Sequence, residues 1–506
     1  MTGSYFLGID QGTSGSRALI LNAAGRACGY GYRSLSSLSP NPGWAEQKPD
    51  EVAETVSQAI TLALADAGLQ PADLVACGIA CQRNTEFVWH ADTGAPLGNA
   101  ITWQDLRAKQ LYRSLSAELD GREMRRRLGH VPAPFSSALH LAWRLQNETA
   151  VGEAARRGKL RAGFSAEWLL QALGQPRGHE MDYSLVQAMG LYDFRAGRTW
   201  AAWRRRLAIP PEVLPEARPT VHDYGTITVT GTGGETATVP VLAMIGDQQA
   251  ALFGFDCRQP GDAECTHGTA SFVNVCLGSD APELAQFNLY YGWVVNETVT
   301  YCLEARTTAT GSVLRWLRDE ASFLSDYDEL DGLVESVTDA GGVIFVPAFT
   351  GLYDPYNDVH ARGAIMGLTL GNRRAHIVRA FLESLGFQVR AILDRIQAKT
   401  ELSIPELFLG GGVSNSNAAC QIQADLLGIP TVRIDFTETT ARAAALLAGL
   451  GSGHWPDIGR LPVLVEQRQT FRPRLSRREQ DSLLFRWQQA VQRTRNWADD
   501  PSNPDG

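Results

Sequence analysis

At 506 residues the chain is too long for one ordinary hydrophobic core, so two large domains are the natural expectation. Apolar residues make up 44% and charged residues 20%, as in folded globular proteins, and the formal charge of −9 argues against a general nucleic-acid or anionic-membrane surface while leaving room for a local basic pocket. No apolar run reaches the roughly 18 residues of a membrane span, no signal-like apolar core follows Met1, and the closest pair of the eight scattered cysteines, Cys77 and Cys81, has no second pair or nearby histidine to complete a zinc site. Reduced, mostly buried thiols in a cytoplasmic protein are the expectation.

The first stretch, "FLGIDQGTSGSRALIL", sets apolar runs at 6–9 and 18–21 around a turn, which predicts a strand–turn–strand hairpin. A hairpin needs one or two glycines and a polar cap. The other small residues and hydroxyls beside Asp10 are surplus to folding. "GWAEQKPDEVAETVSQAITLALADAG" has helical spacing, with Pro49 and Asp50 suited to a helix start. "LVACGIACQ" reads as a strand and "EFVWHADTGAPL" as an edge and a turn, so the pattern is that of an α/β layer architecture.

Residues 106–203 are mostly helical in pattern and read as an insertion before "VPVLAMIGDQQAALFG". A second strand–turn–strand follows at "DAECTHGTASFVNVCLG", where Gly268, Thr269, Ala270 and Ser271 echo Gly12, Thr13, Ser14 and Gly15. The echo predicts two similar halves, divided in the turn-rich segment 255–261 into domains 1–254 and 255–506. The second half adds a strand at "GGVIFVPAFTG", a long helix over 374–399, and a strand, glycine turn and helix in "ELFLGGGVSNSNAACQIQADLLG". "ETTARAAALLAGLG" is a small-residue helix suited to close packing, and a final helix over 477–498 precedes a polar tail, "DDPSNPDG", expected to be disordered.

P-loop, Rossmann, His-Glu-x-x-His and Gly-x-Ser-x-Gly patterns are absent. What remains is three glycine-and-hydroxyl turns: the opening hairpin, "THGTAS" and "LGGGVSNSN". Each alone is an ordinary tight turn. Together they offer backbone N–H groups and hydroxyls of the kind that cradle phosphate. Asp10 would then need a cation between itself and the phosphates, and Mg²⁺ held largely through waters supplies it. Asp247, at the end of an apolar strand, is either a helix cap or the general base of phosphoryl transfer to an alcohol. Gln82, Arg83 and Asn84 end another strand, as a solvated loop or as donors to a polyhydroxylated substrate.

Taken in order, "LGIDQGTSGSRALIL", "PGWAEQKPDE", "CQRNTEFVW", "GNAITWQD", "IGDQQAALFG", "THGTASF", "FVPAFTGLYDPY", "ARGAIMGLTLG", "LGGGVSN" and "ETTARAAALLAGL" resemble the FGGY carbohydrate kinase family over roughly residues 5 to 450, with its glycerol-kinase branch the nearest pattern. The resemblance implies a two-domain ribonuclease H/actin-like ATPase fold with the active site in the interdomain cleft, ATP and Mg²⁺ as cofactors, a small sugar or polyol as partner, and a homodimer or tetramer. It implies further that Thr13, Ser14 and Arg17 approach the ATP phosphates and that Asp10 supports the metal. Gly268, Thr269, Gly311, Gly411 and Asn415 lie on the nucleotide side. Asp247 is the catalytic base, and Arg83, Trp103, Asp247 and Gln248 contact the polyol.

Three positions depart from the glycerol-kinase pattern. Asn84 stands where those enzymes have glutamate, and Phe135 where they have tyrosine; His140 stands where they have lysine. Losing a carboxylate and a phenol removes two hydrogen-bonding groups from a glycerol pocket, so xylulose or another pentulose competes with glycerol and longer alditols as substrate. The rival from another class is a non-catalytic actin-like ATP-binding module, which would not require Asp247 with Arg83 and Gln248.

Overall fold

The computed structural model describes residues 3–498 apart from 117, 118, 285, 435, 437 and 464–467; the expected disordered tail, 499–506, lies outside the described residues. The chain forms two units, one of Met1–Asp256, Gly278–Cys302 and Glu438–Val463, the other of Cys257–Leu277, Leu303–Thr437 and Leu464–Gly506. The units are therefore not consecutive halves: two segments beyond residue 255 return to the first.

The first unit is built on a seven-stranded sheet. Its order is Ala27–Ser34, Gly15–Asn22, Tyr5–Gln11, Leu74–Cys81, Thr236–Gly246, Val221–Thr230 and Gly174–Pro176. The opening stretch is the expected hairpin, with Tyr5 opposite Asn22 and Gln11 opposite Ser16. Its strands run longer than the apolar runs, so Asp10 lies inside the first strand, paired with Arg17 across it. Tyr5–Gln11 and Thr236–Gly246 both run parallel to Leu74–Cys81. Parallel strands need covered faces, and helices cover both. The helix Pro49–Ala67 starts at Pro49, with Lys48 as cap residue, and ends at left-handed Gly68. It lies so close to Ala27–Ser34 that a Cβ on Gly31 would stand 2.0 Å from the Ala59 carbonyl oxygen.

On the opposite face lies the helix Thr439–Gly451. A Cβ on Gly8 would stand 1.9 Å from the Ala441 carbonyl oxygen, and one on Gly78 2.1 Å from that of Ala444. Gly8 pairs with Leu19 and Gly31 with its neighbour Ala18, and successive residues of a strand point to opposite faces. The predicted insertion carries helices such as Gly121–Leu128 and Ser137–Asn147, and its own core includes Leu128, Leu139 and Trp203.

The second unit repeats the plan. Ala263–His267 and Ala270–Gly278 form the second hairpin, and Ala263–His267 runs parallel to Leu407–Gly410, which runs parallel to Thr431–Ile434. The helices Arg374–Thr400 and Asn417–Leu427 carry its core, in which Phe381, Leu385 and Ile422 pack with Val346 and Trp487. All eight cysteines are free, seven of them buried. No helix among the described residues is long and apolar enough to cross a membrane.

Candidate active site

Register explains how distant segments meet in the first unit. Cys81 is aligned with Gln11 on one side and Gly246 on the other, so three parallel strands end level with one another. The residues that follow them, Gly12–Ser14, Gln82–Asn84 and Asp247, emerge along one sheet edge. The carboxyl ends of parallel strands are where α/β folds place their ligands.

Asp10 and Arg17 form an ion pair of 3.3 Å, and Arg17 reaches Glu438 at another 3.3 Å. Burial, with Asp247 and Glu438 adding their charge, pushes the Asp10 carboxyl up to about 7 although Arg17 opposes it. A carboxyl in that condition is suited to a further cation. No group of three or more His, Cys, Asp or Glu side chains that could cage a metal occurs among the described residues. One carboxylate with waters and phosphate oxygens is the arrangement magnesium commonly takes.

Thr13 is held from several sides. Its hydroxyl donates to Gln82 Oε1 at 2.9 Å and accepts from Trp103 Nε1 at 2.8 Å, while Gln47 Nε2 donates to its carbonyl oxygen at 2.7 Å. Ser14 caps the turn, its carbonyl oxygen accepting from Leu35 N at 3.0 Å. Arg83 Nε stands 3.5 Å from Asp247 Oδ1, and its guanidinium lies 4.8 Å over the Tyr290 ring. His130 stacks on Tyr290 at 5.3 Å, and burial, helped by Arg83 and Arg125, pushes its imidazole down to about 3, so it is neutral.

Asp247 is the first residue of the helix Asp247–Gly254, after Gly246 at the cap position, and Gln248 N donates to its Oδ1 at 2.8 Å. The opposite end of this helix is fixed by Arg442, which donates to the Gly254 carbonyl oxygen at 2.7 Å and to Asp256 at 2.9 Å. A cation at a helix C-terminus is favourable. The helix Thr439–Gly451 thereby holds Asp247 in place through Arg442 and reaches Arg17 through Glu438.

Asn84 has φ +59°, and its Oδ1 accepts from Ser137 N at 3.3 Å. Phe135, half-buried, lies two residues ahead of that contact. His140 is buried, its Nε2–H donating to the Asp105 carbonyl oxygen at 3.3 Å, and burial pushes its imidazole down to about 4. It is a neutral core group with no amine-like charge to offer.

In the second unit the predicted nucleotide residues converge. Gly311 N donates to the Gly268 carbonyl oxygen at 2.9 Å and Thr310 N to that of Thr269 at 2.8 Å. Gly411, at φ +81°, passes so close that a Cβ would stand 2.3 Å from the His267 carbonyl oxygen. Beneath the turn, His267 donates to Gln423 Oε1 at 3.0 Å and accepts from Ser271 Oγ at 2.7 Å, which in turn lies 2.7 Å from Thr310 Oγ1. Asn415 ends the short 3-10 turn Gly412–Asn415, its carbonyl oxygen taken by Arg433 at 2.9 Å.

Sequence reasoning missed Gln47, His130, Tyr290 and Glu438. Glu438 stands in a quoted stretch read only as a packing helix, and Tyr290 carries no local signal at all.

Family models match both parts of the chain: the FGGY family of carbohydrate kinases, N-terminal domain, over residues 5–254 and its C-terminal domain over 263–452. The chain is 38% identical to a glycerol kinase of Symbiobacterium thermophilum, over 98% of this chain and all of that one. Among solved structures it is similar to Plasmodium falciparum glycerol kinase with ADP, at 25% identity and a TM-score of 0.89 over 97% of this chain and 98% of that one. The xylulose kinase of Rhodospirillum rubrum shares the fold, at 24% identity and a TM-score of 0.83 over 97% and 98% of the two chains. The chain therefore belongs to the FGGY family of carbohydrate kinases, and it is an ATP-dependent sugar or polyol kinase.

Proposed function

We propose that the protein transfers the γ-phosphoryl group of ATP to a terminal hydroxyl of a small polyol or ketose, with Asp247 as general base. The acceptor oxygen attacks the γ-phosphorus, its proton passes to Asp247, and ADP leaves. Arg83, Trp103 and Gln248 orient the acceptor. Thr13, Ser14 and Arg17 in 1–254, with Gly268, Thr269, Gly311, Gly411 and Asn415 in 255–506, serve the nucleotide. Asp10 would hold a magnesium ion, which would supply neutralisation of phosphate charge. Cytoplasmic residence accords with eight cysteines free of disulfides.

The observation that carries this reading is the pairing of Asp247 with Arg83 at 3.5 Å, just past strands that end level with the first strand of the Asp10 hairpin. A nucleotide switch has no need of that pair. Asn84 and Phe135 replace the carboxylate and phenol of the glycerol-kinase pattern, which favours an acceptor other than glycerol. Asp247→Asn is expected to lower turnover by about 10²–10⁴-fold while ADP affinity, read by calorimetry, stays within about threefold. Turnover near that of the wild type would remove Asp247 from the mechanism.

A further inference from the structure

Beside the helix Gly121–Leu128 lies a cavity of about 80 Å³ with four arginines on its walls, Arg122, Arg125, Arg126 and Arg195, against Glu283 on the wall and Glu123, which pairs with Arg126 at 2.8 Å. In a protein of net charge −9 this local excess is unusual. Arg122, Arg125 and Arg126 stand three and four residues apart on one helix, where like charges repel and weaken the helix. The bland reading is that arginines near a helix C-terminus suit its dipole. It serves Arg125 and Arg126 but not Arg122, which lies in the first turn, next to the capped N-terminus at Asp120. Nor does the Arg122 guanidinium have a hydrogen-bond or ion-pair partner among the described residues.

The hollow is more than twice the roughly 30 Å³ share of one water and well below the roughly 300 Å³ at which pockets for whole organic ligands begin. It suits one tetrahedral anion, and guanidinium forks are the side chains that match phosphate oxygens. We infer that this cavity binds a phosphoryl dianion, either inorganic phosphate or the head of a phosphate monoester, and that its occupancy is felt at Arg83.

The route is short. Arg125 Nη1 donates to Asn288 Oδ1 at 3.0 Å, Leu289 N donates to the Gly129 carbonyl oxygen at 2.8 Å, and Gln187 Nε2 bridges the carbonyl oxygens of Leu128 and Leu289 at 2.9 and 2.8 Å. Gly129, at φ +82°, has no room for a side chain: a Cβ would stand 1.9 Å from the Leu289 carbonyl oxygen. Gly129 and Leu289 line the cavity. The residue after each, His130 and Tyr290, forms the stack on which the Arg83 guanidinium rests. An anion that draws the helix and Leu289 together therefore moves the platform under Arg83. This second half rests on Arg83 belonging to the acceptor site.

The test titrates inorganic phosphate into the full chain under saturating ADP, by calorimetry, in the wild type and in Arg122→Ala/Arg126→Ala. Both side chains are exposed, so the variant is expected to fold as the wild type does. Phosphate entering the nucleotide site would bind both proteins alike. Saturable binding that weakens at least tenfold in the variant is expected; no saturable binding, or equal binding in the two proteins, overturns the site. Phenyl phosphate binding more tightly than phosphate identifies a monoester, through Phe194 and Leu284 on the wall, and equal or weaker binding identifies the inorganic ion. This arm uses no acceptor and stands whatever the role of Asp247. In the second arm, bound phosphate shifts the acceptor KM of the wild type at least twofold and leaves that of the variant unmoved. An unshifted wild-type KM overturns the coupling.

Discussion

Asn84 shows how much one residue decides. Its backbone, at φ +59°, occupies the left-handed region that asparagine tolerates and longer side chains resist. Its amide oxygen is spent on Ser137 N, which ties the loop after Cys81 to the helix that follows Phe135. Asn84→Glu is expected to cost about 1 kcal/mol of stability, read from urea midpoints. Combined with Phe135→Tyr, it is expected to raise kcat/KM for glycerol at least about tenfold relative to longer alditols and ketoses. An unchanged preference in the double variant would show that these two positions do not set the acceptor. Both positions were visible in the sequence as departures from a pattern. The left-handed backbone and the bond to Ser137 were not, because they depend on a contact 53 residues away.

At the scale of elements, the small-residue helix Thr439–Gly451 has the most consequence. Its alanines meet Gly8 and Gly78 without intervening side chains, and this close approach delivers Glu438 to Arg17 and Arg442 to the end of the Asp247 helix. Gly78→Ala would force the helix outward. We expect a loss of about 1–3 kcal/mol in urea unfolding, together with a fall in kcat larger than that of a surface glycine control such as Gly68→Ala. The small residues predicted close packing, but not which sheet they would meet, since their partners lie more than 360 residues earlier.

The second hairpin carries a pH dependence of its own. Glu264 is buried, accepts from Thr266 Oγ1 at 2.8 Å and from Asn274, and burial pushes its carboxyl up to about 7. A raised carboxyl favours the folded state while protonated. Its contribution is complete below about pH 4.5 and is lost as pH rises to about 7. Relative to Glu264→Gln, which does not titrate, the wild type should lose about 3 kcal/mol between pH 4.5 and pH 8, measured by urea unfolding at both. A difference that stays constant with pH would mean that Glu264 is ionised throughout.

At the scale of the whole molecule, alternating strands and helices made the α/β class legible, and the echo of Gly12–Gly15 in Gly268–Ser271 made the repeated hairpin legible. The return of Gly278–Cys302 and Glu438–Val463 to the first unit was not, because local periodicity says which element forms and not which sheet it joins. That is why Tyr290 and Glu438 escaped notice while Asp10, Arg83 and Asp247, which follow from strand ends, did not. In the proposed reaction ATP is spent on an acceptor held by Arg83 and Asp247 in a pocket altered at Asn84 and Phe135. It is tested most directly by a coupled ADP-release assay over glycerol, erythritol, xylitol, xylulose, ribulose and gluconate. One of the larger acceptors is expected to accelerate ADP release at least about tenfold more than glycerol does. Release fastest with glycerol, or equal with and without every acceptor, would contradict it.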